Sequence, residues 1–269
     1  MNEKGRKLSG EQKPPSFSRV ELVLYPLLVI ALFFATSLAV GLAVQRGILH
    51  QGALTLALLG YGLNFAFFAG GAFFLGVRPG KLTWAELGIV PPRWHWLWLL
   101  LAVGVTLILL PLRGLVGLVI QQWFGGGLEG MQSRLDLLLG SELSWSHFFV
   151  TLLGAGLLAP VAEELFFRGF LYTALRQRFG IVAAAMISSL GFAVGHIDAL
   201  GVVAASFIMG LALALAYEYT RSLWTAIAIH VFNNSLAVAM VYLLMLVQAF
   251  LKEQGIDPTL WTSPLPFSP

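Results

Sequence analysis

Two adjacent carboxylates and an arginine, Glu163, Glu164 and Arg168, stand in the otherwise apolar stretch FFVTLLGAGLLAPVAEELFFRGFLY. A charged side chain near the bilayer centre costs about 2.5–3.5 kcal/mol even on insertion scales, so three at one depth point to function. Two more polar groups follow in apolar surroundings: Phe192 and His196 in SLGFAVGHID, then His230 and Asn234 in IAIHVFNNSLA, with Asn233 beside them. Glu164 and Arg168 are four residues apart and share a helix face on which an ion pair can form; Glu163 points about 100° away and is left available. Each histidine alone also fits a hydrogen-bonded packing role. Three such groups together favour one common polar site.

The chemistry this set can perform is hydrolysis. A desolvated glutamate serves as a general base, and a neighbouring histidine helps hold and deprotonate a water; Glu163 and His196 fit those roles. Attack on a peptide carbonyl builds an oxyanion that needs preorganised donors, for which His230 and Asn234 on one helix face are suited. The same atoms also allow a metal site, in which Glu163, His196 and His230 would give zinc an O/N/N ligand set with water at the open position. The sequence has neither HExxH nor GxSxG. Without GxSxG a serine mechanism is disfavoured, although Ser188, Ser189, Ser206 and Ser235 lie in membrane helices; with Asp198 the sole aspartate near the membrane spans, an aspartyl dyad is disfavoured too. A third reading makes the cluster a proton relay or binding site in a transporter or immunity-type scaffold. The two halves of the chain show no inverted repeat, which weakens the transporter form.

These residues need a membrane-embedded frame, and the composition supplies one. Of 269 residues, 58% are hydrophobic and 11% charged, against roughly 45–50% and about 25% in soluble domains. The expected fold is an all-α polytopic bundle embedded in the lipid bilayer, with a multi-pass location in a bacterial-type plasma membrane. Apolar segments at 20–44, 52–77, 95–121, 146–172, 181–198, 200–219, 222–238 and 236–252 give about eight spans, the last two running together without a turn signal. Residues 1–19 read as a disordered basic cytosolic tail, 20–252 as the membrane domain, and 253–269 as a short C-terminal tail. With the N-terminus cytoplasmic, thirteen Lys and Arg fall inside and two, Arg46 and Arg134, outside. Arg113 falls within the third span beside Pro111, either as a lumenal residue or as a sign that the helix ends early. The basic balance reflects topology and no nucleic-acid partner. The absence of cysteine removes disulfides, thiolate metal sites and a cysteine nucleophile.

Finer features follow from local chemistry. Pro160 lacks an N–H for the carbonyl of Gly156 and should kink its helix just before Glu163. Gly191 and Gly195 form a small-xxx-small pair that permits close backbone approach. The loop at 79–94 could hold a short interfacial helix, with Trp84, Trp94, Trp96 and Trp98 at headgroup level.

EExxxR at Glu163, Glu164 and Arg168, FxxxH at Phe192 and His196, and HxxxN at His230 and Asn234, in this order on separate helices, resemble the CPBP family of intramembrane proteases. That family comprises CAAX prenyl proteases of the Rce1 type and bacteriocin-processing or self-immunity (Abi) proteins. The resemblance covers about residues 145–240. It implies an endopeptidase acting on a membrane-tethered protein or peptide, in which Glu163 and His196 activate water, His230 and Asn234 stabilise the oxyanion, and Glu164, Arg168 and Phe192 support them. Whether a divalent metal is required stays open.

Overall fold

The computed structural model describes residues 16–50, 52–92, 96–124, 144–197 and 199–256, and these are helical with short connections. Asp198, Trp94 and most of the 122–145 loop lie outside the described residues. Seven apolar helices are present among them: α1 (Arg19–Gln45), α2 (Ala53–Val77), α3 (Leu97–Phe124), α4 (Trp145–Arg176), α5 (Ile181–Val194), α6 (Leu200–Thr220) and α7 (Leu223–Glu253). All but α5 are long and apolar enough to cross a membrane, which makes the protein a multi-pass helical bundle. Among the described residues the helices number seven, which the absence of a turn signal between the last two expected spans allows. The segments 222–238 and 236–252 are a single helix, because VFNNSLAVAMVYLLMLVQAF contains no glycine or proline to end it. With one crossing fewer, Lys252 moves to the outer side and the charge bias becomes twelve against three.

Helix lengths set the depth of the site. At about 1.5 Å per residue α7 is about 46 Å long, well beyond the hydrocarbon core of about 30 Å, whereas α5 reaches only about 21 Å. The span expected at 181–198 therefore stops early, at Val194, and His196 sits in the turn that follows. Helix α3 continues through Pro111 and Arg113 to Phe124, so Arg113 belongs to a membrane helix and does not mark its end.

Local contacts explain the inner end. Ser18 opens α1 with a capping box in which its hydroxyl accepts from the Glu21 N–H and the Glu21 carboxylate accepts from the Ser18 N–H. Glu21 also pairs with Lys81. Phe17 is buried edge-on against Phe170, and its carbonyl accepts from Arg178 Nε at 2.7 Å, so residues 16–18, expected as tail, are docked. The loop after α2 forms a turn where an interfacial helix was expected. Its Leu82 and Leu87 are buried, and Gly88, at φ +84°, presents its carbonyl to the N–H of Leu223 at 2.7 Å, tying the loop to the start of α7.

Helix α6 packs on both α3 and α5, while α7 packs on α3 and α4, and α2 on α4. Two crossings are so close that only glycine fits. A Cβ on Gly201 would lie 2.2 Å from the carbonyl oxygen of Gly117 in α3, and one on Gly210 would lie 2.8 Å from Cβ of Ser189 in α5. The expected Gly191 and Gly195 pair is not the contact: Gly191 has ordinary van der Waals room, and Gly195 caps the end of α5. Outward faces carry exposed Leu, Ile, Val, Phe and Trp, while Glu163, Glu164, Arg168, His230 and Asn233 are buried. This inversion of the usual soluble pattern is what a lipid-facing surface requires.

Candidate active site

The site is built on an irregular stretch of α4. Residues Gly154–Leu158 and Leu165–Tyr172 are π-helical, flanking the regular turn Ala159–Glu164 that carries both glutamates. Pro160 explains the first irregularity. It offers no N–H to the carbonyl of Gly156 in α-helical register, nor to that of Ala155 in π register. Both carbonyls find donors on α7: Asn234 Nδ2 donates to Ala155 O at 3.2 Å and Ser235 Oγ to Gly156 O at 3.3 Å. The expected proline kink is thus expressed as a π turn repaired by a neighbouring helix. Close packing there needs small residues, since a Cβ on Gly154 would lie 2.0 Å from the Tyr61 ring.

The two glutamates have different surroundings. Glu164 is fully buried, and its Oε1 accepts from Arg168 Nη1 at 2.8 Å and from His230 Nδ1 at 2.8 Å. Arg168, also fully buried, donates from Nη2 to the Gly210 carbonyl at 3.1 Å and lies 4.6 Å over the Phe192 ring. This ion pair is neutral as a unit and each member makes one further hydrogen bond, to His230 and to Gly210, while Glu164 Oε2 and Arg168 Nε are buried without a partner. Glu163 retains some exposure, accepts from Asn64 Nδ2 at 2.9 Å, and brings Oε2 to 3.7 Å from His230 Nε2.

That geometry puts a proton on Nδ1 of His230, which faces a carboxylate that only accepts, and sets Nε2 beside Glu163. His196 obeys the same rule. Its Nδ1 lies 3.0 Å from the Phe192 carbonyl and must donate. Phe192 separates the two imidazoles, its ring 4.9 Å from His196 and 5.5 Å from His230. Among the described contacts, His230 lies against Glu163. Asn234 commits one N–H to Ala155, and the neighbouring Asn233, fully buried, holds the side chain of Arg113 through Oδ1.

The proposed zinc ligands assemble only in part. Glu163 and His230 face each other, but no group of three His, Asp or Glu able to hold a metal gathers among the described residues. Structural and catalytic zinc sites use at least three protein ligands. The donor set as arranged does not fit the ion, and no step is derived through one.

Asn64 and Arg113 were not picked out as site residues. Asn64 is an isolated amide in the apolar run GYGLNFAFF, and its partner lies 99 positions away, so no local spacing announces it. Arg113 did carry a signal, a cation inside a span, but its partner on α7 was invisible in one dimension.

Residues 145–236 match the family described as "Type II CAAX prenyl endopeptidase Rce1-like". They form an Rce1-like domain. The match takes in α4 through the first part of α7 and every one of the three motifs. Over 168 residues the chain is 29% identical to "Membrane-embedded CAAX protease MroQ" of Staphylococcus aureus, covering 60% of this chain and 63% of that protein. Over 144 residues it is 28% identical to YdiL of Bacillus subtilis, whose description as a membrane peptidase is itself provisional, covering 53% and 56% of the two chains. The chain thus spans less than two thirds of the length of these curated relatives. No solved structure matches it. The Rce1-like domain holds Glu163, Glu164, Arg168, Phe192, His196, His230 and Asn234, while Asn64 and Arg113 reach it from the preceding helices.

Proposed function

We propose that the protein is an intramembrane endopeptidase of the CAAX-protease type, hydrolysing a peptide bond in a membrane-tethered protein or peptide. The observation that carries this reading is the 3.7 Å approach of Glu163 Oε2 to His230 Nε2, close enough for one water to bridge both. Glu163 takes a proton from that water, and the hydroxide oxygen bonds to the peptide carbonyl carbon. The carbonyl electron pair moves to oxygen, giving a tetrahedral oxyanion. Collapse restores the carbonyl, breaks the C–N bond and returns the proton from Glu163 to the departing amine, leaving a new carboxyl and a new amino terminus. Glu164 and Arg168 act on His230, fixing its ring and the proton on Nδ1. Stabilisation of the oxyanion is assigned to His230 and Asn234 on one face of α7, Asn234 having a second amide N–H besides the one given to Ala155. His196, beyond the Phe192 ring, presents Nε2 as a second acceptor for steering the water.

The test uses purified protein in liposomes offered lipidated and unmodified membrane-anchored peptides in 18O-labelled water. Wild type is expected to generate a new carboxyl terminus carrying one 18O, and His230→Ala to lose at least about a hundredfold in rate. Absence of label in the product, or full activity of His230→Ala, contradicts hydrolysis at this site. The donor arrangement further predicts that exhaustive chelation leaves the rate unchanged. A rate that falls with chelation and returns with zinc would replace the glutamate-base mechanism with a metal one.

A further inference from the structure

A glutamate carboxylate is a flat group on a weakly restricted terminal torsion, so holding one oxygen decides where the other points. Glu164 and Arg168 fix each other on a face about 100° away from Glu163 and leave that torsion alone. Among the described hydrogen bonds the donor to Glu163 is Asn64, whose Nδ2 lies 2.9 Å from Oε1; Oε2 is then the oxygen 3.7 Å from His230 Nε2. An ionised carboxylate only accepts, so Asn64 presents its amide nitrogen and turns Oδ1 away, where that oxygen is buried without a hydrogen-bond partner. Packing alone does not explain such a residue. An apolar side chain of the same size would fill the space in α2 and bury no orphan carbonyl. The interface around it is stiff: Phe68, one turn along the same face, meets the Phe166 and Phe167 rings of α4 at 5.5 and 5.3 Å. Gly71, a further turn on, leaves so little room that a Cβ there would lie 3.2 Å from the Phe166 ring. Asn64 thus stands on a helix face locked against the helix that carries Glu163.

We propose that Asn64, on a helix outside the Rce1-like domain, is the positioning residue of the base, holding Oε1 so that Oε2 is aimed at the water to be activated beside His230. The proposal rests on the hydrolytic reading above. Asn64 acts through Glu163, and its contribution is orientation of the reacting oxygen. The ordinary alternative is that the amide only makes a buried carboxylate tolerable in the membrane, a role in folding.

Two variants remove the donor in different ways. Asn64→Leu fills the same space with an apolar group, and Asn64→Ala leaves room for a water that can solvate Oε1 without aiming it. In liposomes, on a peptide that wild type cleaves, each is expected to lower kcat about ten- to hundredfold, with KM changed by less than about twofold and the melting temperature close to wild type. Glu163→Asp separates positioning from folding, because its carboxylate is drawn back from Asn64 by one methylene. Adding Asn64→Leu to Glu163→Asp should lower kcat by less than about twofold, whereas a folding role would impose the same loss in both backgrounds. Wild-type kcat in either variant, a loss of kcat seen only with a collapse of the melting temperature in both, or an equal loss in the Glu163→Asp background overturns the proposal. Glu163→Gln run alongside tells the failures apart: if it loses cleavage while Asn64→Leu does not, only this assignment falls, and if it cleaves normally the hydrolytic reading falls and takes this one with it.

Discussion

Glu163 and Glu164 are chemically identical neighbours whose surroundings divide their work. Glu164 spends one oxygen on both Arg168 and His230 in a region closed to solvent, while Glu163 keeps its second oxygen beside Nε2 of His230. Removing one member of a buried pair leaves the other uncompensated, so Arg168→Met is expected to lower stability by about 3–5 kcal/mol. Glu164→Gln with Arg168→Met should cost less than the sum of the two single changes, as read by thermal unfolding in detergent. Strict additivity would show that the pair is not coupled. This division was legible in the sequence, because four-residue spacing alone puts Glu164 and Arg168 on one face. The partner of Glu163 was not, since His230, His196 and Asn64 come from different helices and only their packing decides which one it meets.

Helix α4 carries the site because it is imperfect. Pro160 withdraws an N–H, the helix takes a π turn, and α7 supplies Asn234 and Ser235 to the carbonyls left behind. Ser235→Ala should therefore cost about 1 kcal/mol in wild type and distinctly less in a Pro160→Ala background, where the helix regains its own donor. Equal costs in both backgrounds would remove this explanation of the π turn. Gly154→Ala drives a methyl into the Tyr61 ring and is expected to destabilise by about 1–3 kcal/mol. The sequence showed that the helix must deviate at Pro160, but the form of the deviation depends on donors from an element some 75 residues away. For the same reason the small residues of α5 and α6 were read correctly as a packing surface, while the tightest contacts fell at Gly210 and Gly201.

At the scale of the whole molecule, composition alone gave the membrane bundle, because apolar runs of this length have few other uses. The helix count was less legible: residues 236–238 have hydropathy like any other part of α7, and only continuous backbone hydrogen bonding shows that no turn intervenes there. Seven alternating helices place the two ends of the described chain on opposite sides. The sequence contains no cysteine, so single-cysteine labelling reads this directly. Gly80→Cys should react with a membrane-impermeant maleimide only from the side that holds the N-terminus, and Gly255→Cys only from the other. Labelling of both from one side would restore an even number of crossings.

Removing Glu163, the proposed base, should stop hydrolysis and leave the helical frame intact. The single-turnover cleavage rate of Glu163→Gln in liposomes, taken with its melting temperature, reads both at once. The expected result is a loss of about 10²–10⁴-fold in rate in a protein that melts close to wild type; cleavage at the wild-type rate by the folded variant would rule out Glu163 as the base.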